Sequence, residues 1–565
     1  MTPLYLRAGA HVIAGIYEPA ARERRSTAVL IVPPFGWDDQ TSYRPRRDWS
    51  LTLAAEGFAN LRIDLPGTGD SSGGVRDDGL VEAWTAAVAA GVEWLRNAGA
   101  DRVAVVALGV GGLVTLQAMA DGAAVDDLVL WGMPANGRTF IREFKAFGRL
   151  EQSQTGEASN HGANGELRAG GHVLTPSMID ALSRLDGAQF LPECSCERAL
   201  VLGRDGSGPD DSLLDAIRAS GIEVRTDPGR GWGAALARPQ STSPVALFDT
   251  VNVWLGEAAK PASAAVAPAF DKSALIHERG SRIRETAIAF DAAGQQLYAV
   301  IAEPVEAQRV PFTLVLYNAG AIRRIGPNRM WTEAARRWAS AGVPVIRVDV
   351  EGIGDAGGDG SAYRESDDPF YAEKLIQQAR SVLDLAVERG LPDRFALGGL
   401  CSGGFWAFQA ALSDVRVQSV IMLNPRLLFF DARSDARREL RKLRRILTPA
   451  GLRGVNLEKL TLKRAARLGS RLLRRRARAN PDTAEAFEML RRRGQQVVMG
   501  FSGDEPLYEE LQRELTLAGL LRLGVRVAEL PCKSHTLKPL TAQQAGHSLI
   551  DEAVSAALPR LLECA

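Results

Sequence analysis

The sequence predicts an α/β protein built twice, each half a mainly parallel sheet covered by helices and interrupted by a cap insertion. Three observations carry that prediction. Residues 57–73 read GFANLRIDLPGTGDSSG and residues 342–358 read GVPVIRVDVEGIGDAGG, with Gly57/Gly342, Arg62/Arg347, Asp64/Asp349, Gly67/Gly352, Gly69/Gly354 and Asp70/Asp355 in register. Agreement over a whole supersecondary unit indicates a duplicated domain. A tight glycine-rich turn follows in each half at a similar distance, ALGVGG at 107–112 and GLCSGG at 399–404. Strand-like runs also alternate with helical stretches, as in a parallel sheet joined by crossover helices.

In the second half the strand-like runs are residues 285–290, 296–302, 312–318, 343–349, 394–398, 417–423, 496–501 and 526–530. The GLCSGG turn follows the fifth of them, and FWAFQAAL after it reads as the first turns of a buried helix. Residues 258–273, within GEAAKPASAAVAPAFDKS, read as a linker, because alanine and proline leave little to pack and stiffen the turns. The chain of 565 residues thus divides into residues 1–257, with an insertion at about 137–192, and residues 274–565, with a basic insertion at about 431–493.

Lys and Arg number 68 against 67 Asp and Glu, and hydrophobic residues make up 46%. Neither figure calls for disorder or for nucleic acid. The N-terminal MTPLYLRAGAHVIAGIYEP has no basic start followed by an apolar core and cleavage site, and no run approaches the ~20 apolar residues that span a bilayer. A cytoplasmic location is expected. The five cysteines, Cys194, Cys196, Cys401, Cys532 and Cys564, form no paired framework, which suits a reducing compartment. Cys194 and Cys196 have no histidine close in sequence to complete a metal site, so packing is expected of them, and no metal or other cofactor is expected.

Cys401 stands at the apex of GLCSGG. Small residues flank a nucleophile in such a strand-to-helix turn because the bend leaves no room for bulk and lifts one side chain above the sheet edge. A thiol becomes a good nucleophile when ionised, and both a histidine partner and a helix N-terminus favour the thiolate. After strand 496–501 comes Ser502-Gly503-Asp504-Glu505-Pro506, and after strand 526–530 comes Pro531-Cys532-Lys533-Ser534-His535-Thr536.

With its repeat, strand pattern and elbow, the chain resembles a tandem α/β-hydrolase over the cores of both halves. The superfamily's chain order is nucleophile, then an acid, then a histidine after the last strand. The resemblance therefore implies Cys401 as nucleophile, Asp504 as acid and His535 as base, the acid holding the imidazole's tautomer and stabilising its charged form. It also implies an oxyanion site made by the backbone N–H of Ser402 and a donor from the loop Asn318-Ala319-Gly320-Ala321, with Ala321 favoured and Gly320 next. Residues 318–329, NAGAIRRIGPNR, resemble a loop in a bacterial branch of these hydrolases that includes proteins associated with the exosortase A system. Arg323, Arg324 and Arg329 of that loop either hold a substrate carboxylate or phosphate beside the oxyanion site, or pair with acids at its rim.

In the first half, Pro33-Pro34-Phe35-Gly36-Trp37 follows the strand-like AVLIV in the place of an oxyanion loop. Yet Gly109 stands where the nucleophile should be, and Asp227-Pro228-Gly229-Arg230-Gly231-Trp232, parallel to the histidine loop, has no histidine. Asp205 is the remaining candidate acid, and His161 and His172 lie in the insertion. The chemistry requires a nucleophile and a base in contact, so this half is expected to be a non-catalytic copy. It could stabilise its partner, shape the entrance to the site or hold a carrier protein.

The basic insertion contains RRELRKLRRIL, KRAARLGSRLLRRRARA and FEMLRRRG, with Leu440, Leu443, Ile446 and Leu447 at helical spacing. Amphipathic helices with an arginine outer face are expected. They can dock on an acidic face of the chain itself, or meet an acidic carrier protein, the phosphates of coenzyme A or an anionic membrane; a membrane partner ranks low and nucleic acid is not expected. The expected function is a cysteine-nucleophile acyl hydrolase or acyltransferase, working through an acyl-enzyme on a small ester or thioester, including coenzyme A or acyl-carrier-protein thioesters. Two readings stay open beside it: a non-catalytic scaffold for a carrier protein, and a dienelactone-hydrolase-like lactonase whose substrate carboxylate Arg323 or Arg324 would hold.

Overall fold

Strands with no polar face form the centre of each half: TAVLIV and TLVLY are buried along their whole length, as strands covered on both sides must be. The computed structural model describes residues 1–155, 164–194, 196–262, 269–430 and 483–562. The first half contains β1 (Thr2–Ala8), β2 (His11–Glu18), β3 (Thr27–Val32), β4 (Asn60–Ile63), β5 (Arg102–Leu108) and β6 (Asp127–Trp131). A separate hairpin, β7 (Leu167–Ala169) and β8 (His172–Leu174), precedes β9 (Arg198–Leu202) and β10 (Glu223–Asp227). The second half contains β11 (Ser273–Glu278), β12 (Ser281–Ala292), β13 (Gln295–Pro304), β14 (Thr313–Tyr317) and β15 (Val345–Asp349). It continues with β16 (Phe395–Leu400), β17 (Val417–Leu423), β18 (Gln496–Phe501) and β19 (Val525–Glu529).

The first sheet runs β1-β2-β4-β3-β5-β6-β9-β10 and the second β11-β12-β13-β15-β14-β16-β17-β18-β19. Without β11, the two orders are the same, position for position. β2 and β13 run antiparallel to both neighbours, and the strands beyond them are parallel. This is the α/β-hydrolase sheet, present twice.

β11 is one strand more than the sequence pattern suggested, so the Cys401 turn follows the sixth strand of its half. Its residues pair antiparallel with β12 from Ser273↔Thr286 to Glu278↔Ser281, with Ala274 and Ile276 buried. The alanine- and proline-rich run beside it obscured its start. The end of that run also packs: Phe270 lies against Tyr17 and Trp94, with ring centroids 5.7 and 5.9 Å away. Most of the basic insertion, 431–482, lies outside the described residues. Its last part is not a cap. Thr483–Arg492 is a helix that buries Ala486, Phe487 and Leu490, with Phe487 5.8 Å from Phe408 of the helix after Cys401. Among the described residues no helix is long and apolar enough to cross a membrane.

The halves meet along β1–β2 and β12–β13, where Tyr5, Val12, Ala14 and Ile16 pack against Ala274, Ala287, Tyr298 and Val300. Beside this patch lies a lattice of buried charge. Arg62 donates to Asp355 at 2.8 Å, and Arg347 donates to Asp70 at 2.5 Å. These are repeat positions, so the pairs are exchanged: the arginine of each half binds the aspartate of the other. Arg323 forks onto Asp64 at 2.9 and 2.8 Å, with its guanidinium 3.9 Å from the centroid of the Tyr43 ring. Arg324 lies 2.5, 2.7 and 2.8 Å from Asp70, Asp349 and Asp355. Arg329 donates to the carbonyls of Gly69 and Ser71, and Arg336 to those of Asp70 and Ser71.

Arg323, Arg324 and Arg329 are therefore not substrate-binding groups. They are 4%, 2% and 7% exposed, and a guanidinium buried so deeply must be paired where it lies. Burial alone would raise the carboxyls of Asp70 and Asp355. Arg324 and Arg347 around the first, and Arg62 and Arg324 around the second, instead hold both far below the usual carboxylate range. Depressed carboxylates contribute stability above the ordinary carboxylate pKa and lose it only as pH falls through their own lowered values, so these pairs persist in mild acid. Arg347→Met removes a partner from both Asp70 and Glu285, and is expected to cost about 3–5 kcal/mol, read as a fall in the urea midpoint at neutral pH.

Candidate active site

β16 ends in Gly398-Gly399-Leu400, and Cys401 follows at φ 58°, ψ −116° as N-cap of the helix Ser402–Ser413. A non-glycine residue held at such a φ stores roughly 1–3 kcal/mol of strain. The flanking glycines are needed because the turn is closed on both sides. A Cβ on Gly399 would lie 2.2 Å from the Gly403 carbonyl carbon, and one on Gly403 would lie 2.1 Å from Asn318 O. The Cys401 N–H donates to Leu423 O at 2.9 Å, pinning the turn to β17. The thiol is partly accessible at a helix N-terminus, where the dipole favours negative charge.

His535 lies in the loop after β19. Its Nδ1 is 2.6 Å from Glu505 Oε1. The carboxylate that meets the histidine is therefore Glu505, and the expectation of Asp504 is corrected. The two acids are adjacent, and the turn sends them to opposite sides. Asp504 takes φ 65° and is exposed, whereas Glu505, 6% exposed, is the N-cap of the helix Pro506–Arg522. Aspartate tolerates the left-handed region better than glutamate, and Pro506 at the first helical position marks Glu505 as the cap. That Asp-Glu-Pro order was the available signal.

His535 Nε2 is buried and makes no aligned hydrogen bond, while Cys401 is the neighbouring group that acts most strongly on the imidazole. Such geometry is common before substrate tightens a site. Burial would lower the imidazole, but Cys401 and Glu505 push it up to about 9. Burial would likewise raise the Cys401 thiol, but His535 and then Arg426 bring it below its ordinary value. The two titrate as a pair, with thiolate and imidazolium favouring each other. Elsewhere, burial pushes Cys194 up to about 11 and Cys196 to about 12, as for packed thiols. Cys532 Sγ lies 3.2 Å from Ser502 Oγ.

Two asparagines that sequence reasoning missed hold the surrounding loops. Asn424, at the end of β17, accepts from Ser502 N at 2.7 Å and donates to the His535 carbonyl at 2.8 Å. Asn318 donates to Asp349 and to the Ile322 carbonyl, fixing the loop after β14. In that loop Gly320 N–H donates to Ser402 Oγ at 3.2 Å, whereas among the described residues Ala321 N–H has no acceptor. The N–H of Ser402, at the first helical position, likewise has no intrahelical acceptor. The N–H groups of Ser402 and Ala321 are thus left without an acceptor among the described residues, whereas that of Gly320 supports the turn.

The first half keeps the turn and has filled the space. Gly109 takes φ 53°, ψ −131°, close to the Cys401 conformation. A Cβ there would lie 3.2 Å from Pro34 and 3.8 Å from the Trp232 ring. Trp232, in the loop parallel to that of His535, packs edge-on against Trp131 at 5.2 Å. Asp205 accepts from the N–H groups of Gly231 and Gly233, so its carboxylate is engaged by that loop's backbone. His172 sits beside Phe35, and burial pushes it down to about 4. His161 lies outside the described residues.

Residues 8–130 match the family described as X-Pro dipeptidyl-peptidase (S15 family). That segment lies in the half with Gly109 at its turn. No curated protein matches the sequence. Among solved structures the chain is similar to Est1E from Butyrivibrio proteoclasticus, with ferulic acid bound, at 15% identity over 45% of this chain and 98% of that chain (TM-score 0.33). It is similar to proline iminopeptidase of Mycobacterium smegmatis at 14% identity over 45% of this chain and 98% of that one (TM-score 0.33). It is also similar to an acetyl xylan esterase from Paenibacillus sp. R4 at 18% identity over 46% and 80% (TM-score 0.27). By its strand order the chain has the α/β-hydrolase fold.

Alkylation of Cys401 by iodoacetamide is expected to have a pH midpoint below that of an ordinary thiol, and His535→Ala should move it upward. Glu505→Gln should slow turnover by about 100- to 10,000-fold, while Asp504→Asn leaves it unchanged; a larger loss with Asp504→Asn would reverse the assignment of the acid.

Proposed function

We propose that the chain is an acyl hydrolase or acyltransferase that takes esters or thioesters through a Cys401 acyl-enzyme, and that its first half is a non-catalytic copy. The observation that supports this reading is the seating of His535 Nδ1 on Glu505, with Cys401, on its strained turn, close enough to act on the imidazole.

The Cys401 thiolate attacks the acyl carbonyl carbon, and the oxyanion that forms is held by the N–H groups of Ser402 and Ala321. As the tetrahedral intermediate collapses, His535 gives its Nε2 proton to the departing alkoxide or thiolate. The acyl group is left as a thioester on Cys401. Neutral His535 then takes a proton from the incoming acceptor as it attacks and keeps it as the sulfur departs as thiolate, which restores the starting ion pair. Glu505 fixes the tautomer that presents Nε2 and stabilises the imidazolium. A thioester stays activated toward amine and carbon nucleophiles as well as water, so transfer is as accessible as hydrolysis. Coenzyme A and carrier-protein thioesters are included among the proposed substrates. Since the loop arginines are engaged between the halves, they do not supply the carboxylate clamp that would favour a lactone substrate.

Incubation with a panel of activated esters and acyl-coenzyme A thioesters, followed by intact mass, should give a single acyl adduct that maps to Cys401. Cys401→Ala should lose both adduct and turnover while keeping its fold, and turnover retained in that variant would sink the mechanism. Cys401→Ser should keep more activity on esters than on acyl transfer to amines.

A further inference from the structure

Resting on the Cys401–His535–Glu505 reading, we infer that the first half positions the His535 loop, so that Lys538, Gln543 and Asn328 are positioning residues anchored on the non-catalytic copy. The loop, residues 530–539, is held on its near side within its own half. Gly503 N–H donates to Cys532 O at 2.8 Å, and Asn424 donates to His535 O at 2.8 Å. Its far side is held differently.

Asn328 Nδ2 donates to the carbonyls of Thr536 at 3.3 Å and Leu537 at 3.1 Å. The Asn328 amide is backed by the turn between β7 and β8: a Cβ on Gly171 would lie 2.2 Å from Asn328 Oδ1. Gln543 Nε2 bridges the halves, donating to Gly171 O and to Lys538 O, both at 2.9 Å. Lys538 Nζ pairs with Glu151 and lies 4.3 Å from the centroid of the Trp37 ring, both groups of the first half. Glu151 in turn accepts from the Gly170 N–H of the same turn. One hairpin of the insertion in the first half therefore reaches Asn328, Gln543 and, through Glu151, Lys538.

The loop needs such a hold. Leu537, two residues after His535, is fully buried at φ 54°, a conformation that a leucine keeps only when its surroundings over-determine it. Release of Lys538 and Asn328 lets that residue relax toward ordinary φ, which moves the His535 backbone. A displacement of about 1 Å at a reacting group can cost on the order of 100-fold in rate. The arrangement gives the first half a role that requires no nucleophile of its own.

The test compares full-length wild type, Lys538→Met, Gln543→Leu, Lys538→Arg and His535→Ala by the pH dependence of Cys401 alkylation, by kcat and KM, and by melting temperature. Lys538→Met and Gln543→Leu are expected to raise the alkylation midpoint toward that of His535→Ala and to lower kcat by about 10- to 100-fold. KM and melting temperature should change little, and Lys538→Arg should restore most of the loss. If Lys538→Met does not fold, Glu151→Gln removes the same charge pair from the first half, and the same shifts are expected. Alkylation profiles of the positioning variants that superimpose on wild type, while His535→Ala shifts, overturn this inference alone. If His535→Ala also superimposes on wild type, the Cys401–His535 reading fails and this inference falls with it.

Discussion

The charge lattice between the halves is the constraint on which the rest of the molecule hangs. Arg62, Asp70, Arg324, Arg347 and Asp355 are all nearly inaccessible, and none could be buried singly. The lattice is also wired into the site. Asp349, which pairs with Arg324, accepts from the Arg324 N–H at 2.6 Å and from Asn318 Nδ2 at 2.9 Å, and Asn318 backs the turn that carries Gly320 and Ala321. Ion pairs of this kind add little net stability against a well-packed apolar alternative, but they admit one arrangement and penalise every near neighbour. What they give the second half is a fixed loop after β14.

Much of the architecture was legible in the sequence because it depends on local rules. The glycines at 399 and 403 follow from a turn that tolerates no Cβ, and the buried strands follow from runs without a polar face. The glycine-rich elbow pointed to Cys401, and the chain order that the resemblance implies pointed to His535. The acid was missed by one residue, since the signal was only the weak one of Asp, Glu and Pro in that order, with the aspartate taking the left-handed position. For Arg323, Arg324 and Arg329 the sequence left two readings open, substrate binding or pairing with acids, and could not choose between them. Their partners Asp64 and Asp70 lie more than two hundred and fifty positions away in the chain, and the pairing depends on how two sheets face each other, which no local pattern reports. β11 was missed because its alternation begins where the alanine-rich run ends.

In the first half an aromatic ring stands beside the turn that corresponds to that of Cys401. Trp232 packs against Trp131, and a Cβ on Gly132 would lie 2.8 Å from the Trp232 ring. Asp205, freed from any histidine, caps the loop's own backbone.

The exchanged pairs Arg62–Asp355 and Arg347–Asp70 are what an isologous dimer interface contains, the same patch on each side meeting itself about a two-fold axis. Here both patches are on one chain, so their association is intramolecular. A subunit interface of this kind weakens on dilution by mass action; this one does not, because neither half can diffuse away from the other. The loops that the contact holds stay in place at any protein concentration.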